Sequence, residues 1–78
     1  MELYRIIAMI NPYEVVMIRD EDGKIILDPH GDCLADVYKA ELYCDYLMDF
    51  YERKCVDLTV VKNDLGYDLT TILLTIER

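Results

Sequence analysis

Seventy-eight residues make one domain, expected over 1–78, at the small end of what folds alone. Apolar residues are 54% of the chain, more than a marginal core needs, so the excess predicts either dense packing or apolar surface used by a partner, a second copy included. Sixteen acidic residues against eight basic ones give a formal charge of −8, which argues against direct binding of nucleic acid or of an anionic membrane and permits a protein partner with a basic surface.

The segment Glu2–Ile10 opens the chain. Leu3, Ile6, Ile7 and Ile10 fall at helical spacing, and Asn11–Pro12 follows as a stop, so a short helix is expected there; strand alternation would place apolar groups on both sides. Tyr13–Arg19 is rich in Val, Ile and Met and is expected to be a strand. Asp22–Gly23 is a hairpin signal for a type I′ turn, and Lys24–Asp28 is the returning strand. Pro29, His30 and Gly31 form a loop, and Asp32 is a credible helix N-cap.

From Cys33 to about Lys54 there is no Gly or Pro. Val37, Ala40, Cys44, Leu47 and Tyr51 recur at three- and four-residue steps and Leu34 and Met48 widen the stripe, predicting one long amphipathic helix of about 30 Å. Val56, Leu58 and Val60 alternate with Asp57 and Thr59 as a strand, and Asn63–Asp68 is a loop. Thr70–Glu77 alternates as the last strand. The expected fold class is therefore α+β, in the order α-β-β-α-β-β. Two β-hairpins form one mostly antiparallel four-stranded sheet, with the long helix packed on one face.

Residues with chemical potential are few. His30, Cys33, Cys44 and Cys55 are zinc-type ligands, but Cys33 and Cys44 would lie about 16 Å apart along a helix. Eleven residues return to nearly the same helical face, so inward packing of the thiols is preferred and no metal or other cofactor is expected. A Cys33–His30 nucleophile pair has no third member nearby, and Asp32 and Asp36 oppose a thiolate. Asp20, Glu21 and Asp22 resemble the start of a calcium loop, but Lys24 stands where an oxygen ligand belongs. No catalytic residue is nominated.

Glu41, Asp45, Asp49 and Glu52 follow at four, four and three residues and share one flank of the expected helix. Like charges at that spacing destabilise a helix slightly, so local stability does not explain the row. A solvated face is one reading; an acidic ridge for a basic partner is the other. Leu42 and Tyr46, with Tyr43 and Phe50, form a second apolar set turned away from the Cys44 stripe. Leu42 and Tyr46 are candidate anchors beside the acids, because tyrosine is favoured at interfaces.

The run of a short helix, Asn11–Pro12 and then YEVVMIRDEDGKIIL resembles small uncharacterised acidic proteins of phages, prophages and conjugative elements in Firmicutes. The resemblance covers residues 2–28. It implies a mobile-element context, where small acidic proteins bind host proteins, anti-CRISPR inhibitors among them. The three cysteines, with no membrane-length apolar run and no apolar run behind Met1–Arg5, predict a reduced, cytoplasmic protein. The expected function is a non-enzymatic protein-binding module, an acidic inhibitor of a host nucleic-acid-binding protein. The alternatives are a small homo-oligomeric accessory protein, such as a homodimer, and a small thiol enzyme using Cys33 and His30.

Overall fold

The computed structural model describes residues 1–29, 32–39, 48–62 and 70–78. In chain order the elements are α1 (Leu3–Met9), β1 (Val15–Asp20), β2 (Ile25–Leu27), α2 (Leu34–Lys39), β3 (Cys55–Lys62) and β4 (Thr70–Ile76). The four strands form one sheet in the order β2-β1-β4-β3.

At seven residues α1 is too short to persist on its own. Its first N–H groups are taken up from outside the helix: Leu3 N donates to the Arg53 carbonyl at 2.9 Å and Tyr4 N to the Tyr51 carbonyl at 3.1 Å. Cys55 N donates to the Met1 carbonyl at 2.9 Å, so the N-terminus is laced to residues 51–55. Ile10 turns to extended backbone as the C-cap. Asn11–Glu14 is then a turn with Pro12 at its second position, closed by Glu14 N to the Asn11 carbonyl at 2.9 Å, while Tyr13 N donates to Asn11 Oδ1. The same loop accepts the start of α2: Leu34 N donates to the Glu14 carbonyl and Ala35 N to the Pro12 carbonyl.

The hairpin between β1 and β2 turns one residue earlier than a type I′ turn would place it. Gly23 N donates to the Asp20 carbonyl at 3.0 Å, which makes Glu21 and Asp22 the central pair. Gly23 follows at φ 84°, the left-handed position of a three-residue hairpin loop with a bulge. Asp20 explains the choice, because its Oδ1 accepts from both Asp22 N and Lys24 N at 2.9 Å. Both bonds fall on one oxygen of the Asp20 carboxylate and tie the turn together.

Two features of the expected fold need correction. The sheet is mixed. β1 and β2 are antiparallel, as are β3 and β4, but the central pair β1 and β4 runs parallel, from Val15 opposite Thr71 to Asp20 opposite Ile76. These are the strands with continuous apolar runs, Val15–Ile18 and Ile72–Leu74, and such runs suit a buried, parallel pair. The single helix from Cys33 to Lys54 is also overturned. The described helices are short, residues 49–53 form turns and a bend, and Lys54 makes an isolated bridge with Glu2. The carbonyls of Tyr51 and Arg53 serve the N–H groups of α1 instead of an extended helix ladder. Among the described residues no long helix packs on the sheet.

The core lies on one face of the sheet. Val16 and Ile18 of β1, Ile26 and Leu27 of β2, and Leu74 and Ile76 of β4 meet Leu3 and Ile7 of α1 and Leu34 of α2. Ile6, Ile10, Phe50, Tyr51, Cys55 and Ile72 pack around this cluster, and the Arg53 guanidinium stacks over Phe50 at 4.6 Å. Arg78 reaches back to Asp22 at 3.3 Å, an exposed pair of small energetic weight.

Candidate functional site

Strand order decides what the sheet offers to a partner. The two edges are β2 and β3, since β1 and β4 are flanked on both sides. β2 has only three residues, and its register with β1 shifts between Ile18 and Arg19. A short, bulged edge is a poor template for another strand. β3 is eight residues long. A register shift lies at its start, between Cys55 and Asp57; from Asp57 to Lys62 it pairs with β4 without interruption.

Alternation along β3 puts Leu58 and Val60 on the core side, opposite Leu74 and Ile72, and Thr59 and Val61 on the other, opposite Leu73 and Thr71. The sequence pattern Val56-Leu58-Val60 therefore marks a strand face, but the face is not buried. Val56, Leu58, Val60 and Val61 are 52%, 53%, 57% and 44% exposed. Soluble domains guard such edges with charge, proline, bulges or brevity. Here the bulge stands at one end and Lys62 at the other, and the centre of the strand carries neither.

The second sheet face, away from α1, is also partly apolar. Met17, Val61, Lys62, Thr71 and Leu73 line an open cavity of about 300 Å³ next to the β3 edge. Arg19 Nε donates to Thr75 Oγ1 at 3.0 Å across this face, and Thr59 Oγ1 donates to Asp57 Oδ2 at 3.2 Å. Arg19, Thr75, Thr59 and Asp57 are thus engaged in pairs. A second groove of about 420 Å³ runs between α1, Pro12, Leu34 and Tyr51.

The residues nominated from sequence are placed only in part. Asp49 and Glu52 are both exposed and lie in the turn segment before β3. Glu41, Leu42, Asp45 and Tyr46 fall outside the described residues, as do His30 and Cys44. Cys33 and Cys55 are free, half-buried thiols. Cys33 Sγ donates to Asp36 Oδ2 at 3.3 Å, and Cys55 Sγ donates to the Asp57 carbonyl at 3.2 Å. Among the described residues no group of three or more His, Cys, Asp or Glu side chains is placed to hold a metal ion.

Glu2 and Arg5, at the start of the chain, have shifted ionisation. A hydrogen bond from its own backbone N–H, with Arg5 at 3.2 Å, holds the Glu2 carboxyl below its ordinary range. Hydrogen bonding to Tyr4 raises the Arg5 guanidinium. Both groups are at the surface, Glu2 as the N-cap residue of α1 and Arg5 in its first turn. No helix among the described residues is long and apolar enough to cross a membrane.

Sequence reasoning missed the β3 edge as a site. The signal was present in Val60–Val61, two adjacent β-branched residues that put apolar groups on both faces of one strand. Comparison with family models, with curated proteins and with solved structures returned no match.

Proposed function

We propose that this chain is a non-enzymatic protein-binding module whose principal contact surface is the β3 edge. One observation carries the reading: an eight-residue edge strand with its central residues unguarded exposes four large apolar side chains. Strand addition at such an edge supplies backbone hydrogen bonds for affinity, and the alternating side chains supply selectivity.

The narrower reading is an acidic inhibitor of phage or mobile-element type, acting in the cytoplasm on a nucleic-acid-binding protein. The net charge of −8 and the resemblance of residues 2–28 support it. In that reading Glu41, Asp45, Asp49 and Glu52 meet a basic surface beside Leu42 and Tyr46, and the chain touches neither nucleic acid nor membrane directly. Asp49 and Glu52 lie in the turn segment that precedes β3 in the chain, which supports linking their charge to this strand.

Site-specific photo-cross-linking separates these readings. A benzoylphenylalanine is placed at Val60, at Asp49 or at Tyr13, and adducts are identified in cells that express the chain. Protein adducts are expected from position 60 and not from Tyr13, which is exposed but lies in the loop before β1. Adducts from position 49 to a basic protein support the inhibitor reading. Adducts from Tyr13 as abundant as those from 60, or none from 60, contradict a β3 contact surface.

A further inference from the structure

We infer that the occupant of the β3 edge is a second copy of this chain, paired antiparallel across a two-fold axis at Thr59. The inference rests on the module reading and names its partner.

Geometry narrows the register. A two-fold axis normal to the sheet keeps each face on its own side, so a residue can oppose only a partner residue of the same face. Centring the axis on Thr59 sets Leu58 against the partner's Val60, and Val60 against the partner's Leu58, on the core side. Thr59 meets its own counterpart on the other side, flanked by Asp57 and Val61. Apolar and Thr–Thr cross-strand pairs of this kind stabilise a sheet. Both side chains of each Leu–Val pair are more than half exposed in the single chain, so the pairing covers surface that the fold leaves open.

Charge favours the same occupant. Within Asp57–Lys62 one acid and one base cancel, in a chain that otherwise carries a large negative excess. The strand therefore offers a basic partner no net charge to recognise. In the Thr59-centred register the two Asp57 carboxylates stand four residues apart, about 13 Å. That exceeds the Debye length of roughly 8 Å at physiological salt, so these two carboxylates oppose pairing only weakly. The two lysines at position 62 are farther apart still. The resulting eight-stranded sheet would run β2-β1-β4-β3 and then the same strands in reverse, leaving only the short, bulged β2 edges at its ends.

Sedimentation and cross-linking test this. The wild-type chain is expected to sediment as a dimer at high concentration. Each copy carries a charge of −8, so added salt should tighten the dimer, whereas a basic partner held by acidic residues would be released. Val60→Lys should raise the dimer dissociation constant by about 100-fold, because the symmetry desolvates two ammonium groups in one interface. Its far-ultraviolet spectrum should stay unchanged, since Val60 is exposed in the single chain. With Cys33, Cys44 and Cys55 replaced by alanine, Thr59→Cys should oxidise to a covalent dimer, the two Cα atoms lying about 5 Å apart. Val61→Cys should not, its two copies being about 13 Å apart.

A wild-type chain that remains monomeric overturns the inference. So does a dimer that survives Val60→Lys or that cross-links as readily at 61 as at 59. A monomer whose position 60 photo-cross-links to a different protein refutes the second copy and leaves the module reading intact. A monomer with no adduct at 60 refutes both.

Discussion

Leu74→Ala is expected to lower the unfolding free energy by about 3 kcal/mol, measured by urea denaturation at concentrations where the chain is monomeric. Leu74 is fully buried at the centre of the sheet, with Ile18 opposite it on β1 and Leu58 opposite it on β3. Truncation leaves a cavity under α1 that neither central strand can close without breaking the parallel register. For a chain of this size such a loss is a large part of total stability. Leu58→Ala is the internal comparison. It removes the same atoms from the residue directly across the ladder, but Leu58 is 53% exposed and the cost should stay below about 1 kcal/mol. Equal losses at the two positions would show that β3 is covered like the rest of the sheet.

Leu3→Ala is expected to cost about 3 kcal/mol as well, with a different signature. Leu3 is fully buried and its N–H holds the Arg53 carbonyl. A seven-residue helix has little stability of its own, so α1 depends on this anchor and on Ile7. Weakening it should let α1 detach before the sheet melts. Hydrogen exchange at Leu3 and Tyr4 should then rise well above exchange in β1 and β4. Loss of protection in one global step, or none at all at Leu3 and Tyr4, would contradict the view that α1 is held by tertiary contacts.

The strands were legible where one physical rule dominated. Alternation from Thr70 to Ile76 places Ile72, Leu74 and Ile76 on one face, and that face is the core side. Gly23 marked the hairpin, though the turn type escaped the pattern because Asp20 adds two hydrogen bonds that favour Glu21 and Asp22 as the central pair. The parallel pairing of β1 with β4 was hidden. Each hairpin is a local feature, and nothing local says which of its strands joins the other hairpin.

The long helix failed for a related reason. The absence of Gly and Pro from 33 to 54 permits a helix without requiring one. Periodicity in that window also includes Tyr51, which packs on the core from a turn. Competition came from the N-terminus, fifty residues away in the chain, whose N–H groups take the carbonyls of Tyr51 and Arg53. The edge position of β3 was invisible on the same grounds. An alternating Val-Leu-Val pattern predicts a strand with a covered face, and only strand order reveals that Leu58 and Val60 remain open.

Amide hydrogen exchange along Asp57–Val61, followed over a dilution series, puts the whole account at risk in one experiment. Half of these backbone groups point away from β4. If β3 joins its counterpart, exchange at those outward amides slows as the chain is concentrated, while amides in β2 keep one rate throughout. Outward amides that exchange fast at every concentration would leave the strand bare, and the β3 edge would have no occupant of its own kind.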